Sequence, residues 1–188
     1  MYSKASQARS TTAYSLAAMA RCSCRRAAAA SSSSCATGAA PPAKPSFYDT
    51  KYPGTYNARR DNLEGYWRGQ FGQNHGLMIA DRFYEHVKVD GVNTILEFEP
   101  RTCEPMLVPC LWSSWSDPKG VEPDLLSFAA ITDDPEPEVA ATGHDRTPIN
   151  MKPEHVEAWL NPDPSNLEAL YAMFDDKRHP YYEYREAA

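Results

Sequence analysis

Gly76-Leu77-Met78-Ile79-Ala80-Asp81-Arg82-Phe83-Tyr84-Glu85-His86-Val87-Lys88-Val89 is the stretch that decides the fold. Its apolar run over 76–80 reads as a buried strand, Asp81-Arg82 as a break, and the aromatic run over 83–89 as a second strand. Moving towards the C-terminus, strands are expected over 94–98, 106–112 and 125–131, each set between Gly, Pro and Asp punctuation. On the N-terminal side, 56–59 reads as a short strand. It leads into an expected helix over 61–70 with Leu63, Tyr66 and Trp67 on one face. A helix is expected over 136–141, ending at Gly143. Another is expected over 153–160, where Pro153 opens the first turn and acids follow early. A third covers 166–174. No internal repeat is visible. The pattern predicts an α+β fold dominated by an antiparallel, curled β-sheet with flanking helices.

The 188 residues suit one domain, and their charge is unevenly spread. No acid precedes Asp49, whereas Lys4, Arg9, Arg21, Arg25, Arg26 and Lys44 all lie before it. The remainder holds 13 basic residues against all 25 acids, a balance of −12. Such an acidic body argues against broad, sequence-blind duplex binding, which needs phosphate neutralisation. A local groove of a few Arg or Lys residues with stacking surfaces still suffices for a single strand.

Residues 1–46 are nearly all Ala, Ser, Thr, Arg and Cys and close on Pro41-Pro42-Ala43-Lys44-Pro45. Without a sustained apolar period they are expected to form a disordered low-complexity leader, with the domain over 47–188. An organelle transit peptide is one reading of that leader. A GC-rich coding sequence read out of phase is the other, and it fits the composition better. Cys22, Cys24, Cys35, Cys103 and Cys110 form no Cys-x-x-Cys pair, so no metal site and no cofactor are expected. Their odd number points to a reducing, cytoplasmic setting, and Cys103 and Cys110 sit in apolar surroundings typical of buried thiols. No apolar run is long enough to span a membrane.

Three residues invite chemistry. Glu85, in its aromatic strand, would gain a raised pKa if buried and so suit general acid or base work. Simple strand alternation instead places it on the solvated face. His144, in a loop after Gly143, titrates near neutrality and can pass a proton, or is merely solvated. Asn57 offers an amide donor and acceptor to orient a nucleophile, or caps the element that follows. Arg146 holds a phosphate or pairs with Asp145. Trp112 and Trp115 stack bases or pack the core.

The order of four strings resolves more than each does alone. Asn57-Ala58-Arg59 resembles an Asn-Ala-Arg motif. Residues 77–85 are similar to Leu-Ile-Pro-Ala-Asp-Gly-Phe-Tyr-Glu, with Arg82 at the glycine. Leu111-Trp112 comes next, and His144-Asp145-Arg146-Thr147-Pro148 resembles His-x-Arg-Met-Pro. Together they resemble the SOS-response-associated peptidase (SRAP) family, over about 47–160. The resemblance implies covalent capture of abasic sites in single-stranded DNA within the SOS response. The α-amine and thiol of a cysteine at position 2, exposed by the self-removal that "peptidase" denotes, form an imine and then a thiazolidine with the sugar aldehyde. Asn57 would orient the amine, Glu85 and His144 would move protons, and Arg59 and Arg146 would hold the DNA backbone.

Position 2 here is Tyr2. The resemblance therefore implies a partial domain lacking the family's opening strands, with impaired chemistry. A monomer binding abasic single-stranded DNA, without a membrane, is expected. Two rivals are a non-covalent single-strand-binding module, needing no aldehyde, and a non-functional gene fragment, which would be poorly soluble.

Overall fold

The computed structural model describes residues 21–23, 35–37, 56–117, 119–121 and 124–187. Among the described residues the fold is α+β, strand-rich and built from two sheets with no closed barrel. The larger sheet is ordered β1 (Arg21–Ser23), β4 (His75–Ala80), β7 (Met106–Trp115), β8 (Leu125–Asp133) and β2 (Cys35–Thr37). Two more strands, β3 (Asn57–Arg59) and β9 (Thr147–Pro148), also pair with β8. The smaller sheet is β10 (Tyr182–Glu186), β6 (Val92–Pro100) and β5 (Phe83–Val89), all antiparallel. The larger sheet is mixed, because β2 and β3 run parallel to β8.

Each face of the larger sheet buries its own core. Alternation along the strands puts Ala58, Leu77, Leu111, Ala129 and Ile131 on one face. There they pack against Leu63, Trp67, Phe71, Trp159, Leu170 and Phe174. The opposite face carries Met78, Ala80, Val108, Cys110, Phe128 and Ala130, covered by Phe83, Val87, Leu96 and Phe98 of the smaller sheet. Trp159 belongs to α2 (Val156–Leu160) and is fully buried; its Nε1 donates to the Gly76 carbonyl at 2.7 Å, fastening the helix to β4. Phe174 and Leu170 come from α3 (Leu167–Asp175), whose N-cap Asn166 accepts from the Ala169 N–H.

Several expectations change here. No α-helix forms over 61–70; a 3-10 turn at Arg60–Asn62 is followed by successive turns. Two physical causes act against it. The Asn62 Oδ1 takes the Tyr66 N–H, and Gly65 and Gly69 weaken a helix interior. Leu63 and Trp67 are buried nonetheless. Within the stretch expected to be a leader, Arg21–Ser23 pairs antiparallel with β4 and Cys35–Thr37 parallel with β8. These six residues belong to the sheet, and the rest of 1–55 lies outside the described residues. Cys110 is buried, but Cys103 is exposed in a turn at φ 55°.

Candidate active site

Glu85 points inwards. It shares the inner face of β5 with Phe83 and Val87, and its side chain is 8% exposed. His144 reaches it from the other side of the cleft, with Nε2 3.0 Å from Glu85 Oε2. The loop that presents His144 is held at both ends. Behind it α1 (Pro137–Ala140) closes through the Gly143 N–H onto the Ala140 carbonyl, and Gly143 turns the chain at φ +86°. That left-handed turn is why glycine stands there. Ahead of it β9 pairs with the end of β8.

The tautomer follows from the partners. The Arg146 carbonyl, 3.0 Å from His144 Nδ1, can only accept, so Nδ1 carries a proton. Nε2 faces the Glu85 carboxylate and donates to it when the ring is fully protonated. The hydrogen bond to Glu85 raises the His144 pKa above its ordinary value, against the opposing effect of burial. Glu85 Oε1 is buried and has no hydrogen-bond partner among the described residues. The pair therefore offers a histidine Nε2 that can carry a proton and one unsatisfied acceptor, suited to protonating or deprotonating a bound group.

Asn57 makes no hydrogen bond to this pair among the described residues, but it lies on the sheet face that the smaller sheet covers, because it pairs with Ala130 of that face. Its Oδ1 is also buried and without a partner among the described residues. Asn57 caps nothing; the residue before the 3-10 turn is Arg59, and it makes no side-chain cap. Thr132, two residues after Ala130, adds a third such group, a hydroxyl buried to 1% exposure and unpartnered. Sequence reasoning missed Thr132, because a threonine near a strand end carries no local signal of chemistry.

Arg59 and Arg146 meet on one carboxylate. Arg146 Nε and Nη2 lie 3.0 and 3.3 Å from the two oxygens of Asp145, and Arg59 Nη1 lies 3.5 Å away. Arg59 also holds Asp61 at 3.2 Å. Hydrogen bonding to Arg146 lowers the Asp145 pKa, so the carboxylate stays charged. Arg59 and Thr132 line an open cavity of about 500 Å³ together with Asp133 and Tyr171. No group of three His, Cys, Asp or Glu side chains among the described residues is placed to hold a metal ion. Trp112 is half-buried and donates through Nε1 to the His75 carbonyl at 3.2 Å, which favours its packing role.

Comparison with known proteins fits this architecture. The sequence profile of the SOS response associated peptidase (SRAP) family matches residues 3–186. The chain belongs to the SRAP family. The match extends on both sides of the stretch that carries the motifs. SRAP relatives include the abasic site processing protein YoqW of Bacillus subtilis, 28% identical over 125 residues. That alignment covers 63% of this chain and 54% of the relative. The abasic site processing protein YobE of the same organism is 27% identical over 125 residues, covering 63% and 56%. The chain thus spans about half the length of the curated relatives it matches.

Among solved structures, a protein from Bordetella bronchiseptica shares the fold with a TM-score of 0.62 at 17% identity, over 81% of this chain and 75% of that one. A phage-related protein from the same organism gives 0.53 at 20% identity, over 70% and 62%. No helix among the described residues is long and apolar enough to cross a membrane.

Proposed function

We propose that this SRAP chain acts on abasic sites in single-stranded DNA, with Glu85 and His144 moving protons at the opened sugar. One observation carries the reading: the 3.0 Å Glu85–His144 contact, beside a buried and unsatisfied acceptor on Glu85. The names of the Bacillus relatives support the substrate class. In the covalent version, an α-amine attacks the aldehyde carbon and water leaves to give an imine. A neighbouring thiol then adds to the imine carbon and closes a thiazolidine. An α-amine with a pKa of about 8 keeps a neutral fraction for the first step. Asn57 would accept from that amine, Glu85 and His144 would relay protons to and from the departing water, and Arg59 and Arg146 would hold flanking phosphates.

The test supplies the amine–thiol pair directly. The chain is joined to a family-type N-terminal segment beginning Met-Cys and incubated with single-stranded DNA bearing one abasic site. A heat-stable adduct on a denaturing gel is expected, and none with intact DNA. Glu85→Gln and His144→Ala should slow it by about 10²–10⁴-fold, as for lost proton-transfer groups. Equal rates in these variants would overturn the assignment. Binding to intact and abasic strands alike, with no adduct, would favour a non-covalent single-strand-binding module.

A further inference from the structure

Glu85 sits on an edge strand. Among the described residues β5 pairs only with β6, so its register rests on one ladder. A slip of one residue would turn Glu85 out of the cleft. At the far end the register is fixed by the two-residue turn Asp90-Gly91, where both residues are left-handed, at φ 51° and 81°. The near end has no such turn. It has Glu97.

Glu97 lies on β6 directly opposite Tyr84, with Arg185 of β10 opposite it on the other side. The next row across the sheet is Glu186, Leu96 and Glu85. Glu97 is thus one row from Glu85 and on the other face. Its Oε1 accepts from Arg82 Nη1 at 2.8 Å and from Arg185 Nη2 at 2.6 Å, and its Oε2 accepts from the Tyr84 hydroxyl at 2.8 Å. Arg82, just before β5, and Tyr84, within it, flank Phe83 and both reach Glu97, so both tie the near end of the strand to β6. Arg82 replaces the glycine of the motif that this stretch resembles.

We propose that Glu97 is a positioning residue for Glu85, gathering Arg82, Tyr84 and Arg185 on the outer face so that Glu85 stays inward against His144. Its catalytic meaning rests on the reading of that pair as the proton-transfer site; its geometric content does not. The groups facing His144 are Glu85 across the cleft, Asp145 and Arg146 in its own loop, and Arg59 through Asp145. None is altered by changing Glu97 or Arg82.

The test is an NMR titration of the His144 ring in the full chain, with Glu85→Gln as the reference for a lost partner. Glu97→Gln and Arg82→Gln should each move the His144 midpoint down towards the Glu85→Gln value, and Arg82→Lys should restore it. The Arg82→Gln direction is decisive. Removing a nearby cation acts through space to raise a histidine midpoint, whereas displacing Glu85 lowers it. An unchanged or higher midpoint in Arg82→Gln overturns the proposal, and this variant decides alone if Glu97→Gln fails to fold. Midpoints that move as expected, while the chain joined to the Met-Cys segment forms no adduct, would leave the positioning intact and sink the covalent abasic-site reading.

Discussion

His75 and His144 are both largely enclosed, yet their surroundings push them in opposite directions. His75 stacks on Trp159 with ring centroids 3.7 Å apart, while Nδ1 faces the Trp159 carbonyl at 2.9 Å and Nε2 accepts from the Gly72 N–H at 2.8 Å. Burial pulls its pKa to about 4, despite the opposing hydrogen bond to the Trp159 carbonyl. The unfolded chain therefore takes up this proton between about pH 6.5 and 4 while the folded chain does not. Stability falls as pH drops through that window, by roughly 3 kcal/mol in total. Denaturant unfolding at several pH values should show this loss in the wild type, and His75→Gln should flatten it. For His144 the sign reverses, because its pKa is raised in the fold. The stabilisation from Glu85 is complete below about pH 6.5 and fades as pH rises through the folded value. The stability gap between wild type and Glu85→Gln should accordingly narrow in alkali; a gap that widens there would contradict the pairing.

At the scale of elements, the connection into β4 is set by Gly72. Its φ is +79°, and a Cβ there would lie 2.8 Å from Leu167 Cδ2. Gly72→Ala therefore combines a left-handed strain of about 1–2 kcal/mol with a clash against α3. Gly91→Ala meets only the strain, since nothing lies near its Cβ position. The thermal midpoint should drop further for Gly72→Ala than for Gly91→Ala; the reverse order would show that α3 yields freely. Trp159→Ala, emptying the fully buried anchor of α2, should cost about 3–5 kcal/mol.

The strands most legible in sequence were those with apolar or aromatic runs between turn residues, such as β4, β5, β7 and β8. By contrast, β10 reads Tyr-Glu-Tyr-Arg-Glu and is exposed beyond Tyr182, so it carries little hydrophobic signal. β9 is two residues long and exists only through its pairing with β8. The helix expected over 61–70 failed where Asn62 and two glycines outweighed the apolar spacing. The motifs singled out Asn57, Glu85 and His144 as candidates, and the structure brings two of them, Glu85 and His144, into contact. The burial of Glu85 was not readable, because alternation fixes which residues share a face but not which face is covered.

Across the whole molecule, the larger sheet separates two cores. The helical side carries Trp159 and Phe174, and the opposite side carries Asn57, with Glu85 reaching in from the smaller sheet. Charge follows a similar division of labour. The balance is −12 from Asp49 onward, and the two arginines at the cleft are already shared with Asp145 and Asp61. On the proposed reading, a phosphate would have to compete with these carboxylates for Arg59 and Arg146, which would keep non-specific affinity low. If these two residues make the phosphate contacts, the slope of log K against log salt for single-stranded DNA should be about −1.4, from roughly −0.7 per neutralised phosphate. Arg59→Ala or Arg146→Ala should each make the slope shallower by about 0.7 and weaken binding to every sequence alike. Asp145→Asn should do the opposite in affinity, since it releases both guanidinium groups while leaving their charge in place. Fluorescence anisotropy on an abasic strand across a salt series measures all four proteins. A wild-type slope several times steeper would place the main phosphate contacts elsewhere on the chain, and a weaker Asp145→Asn complex would mean that this carboxylate holds the arginines in position.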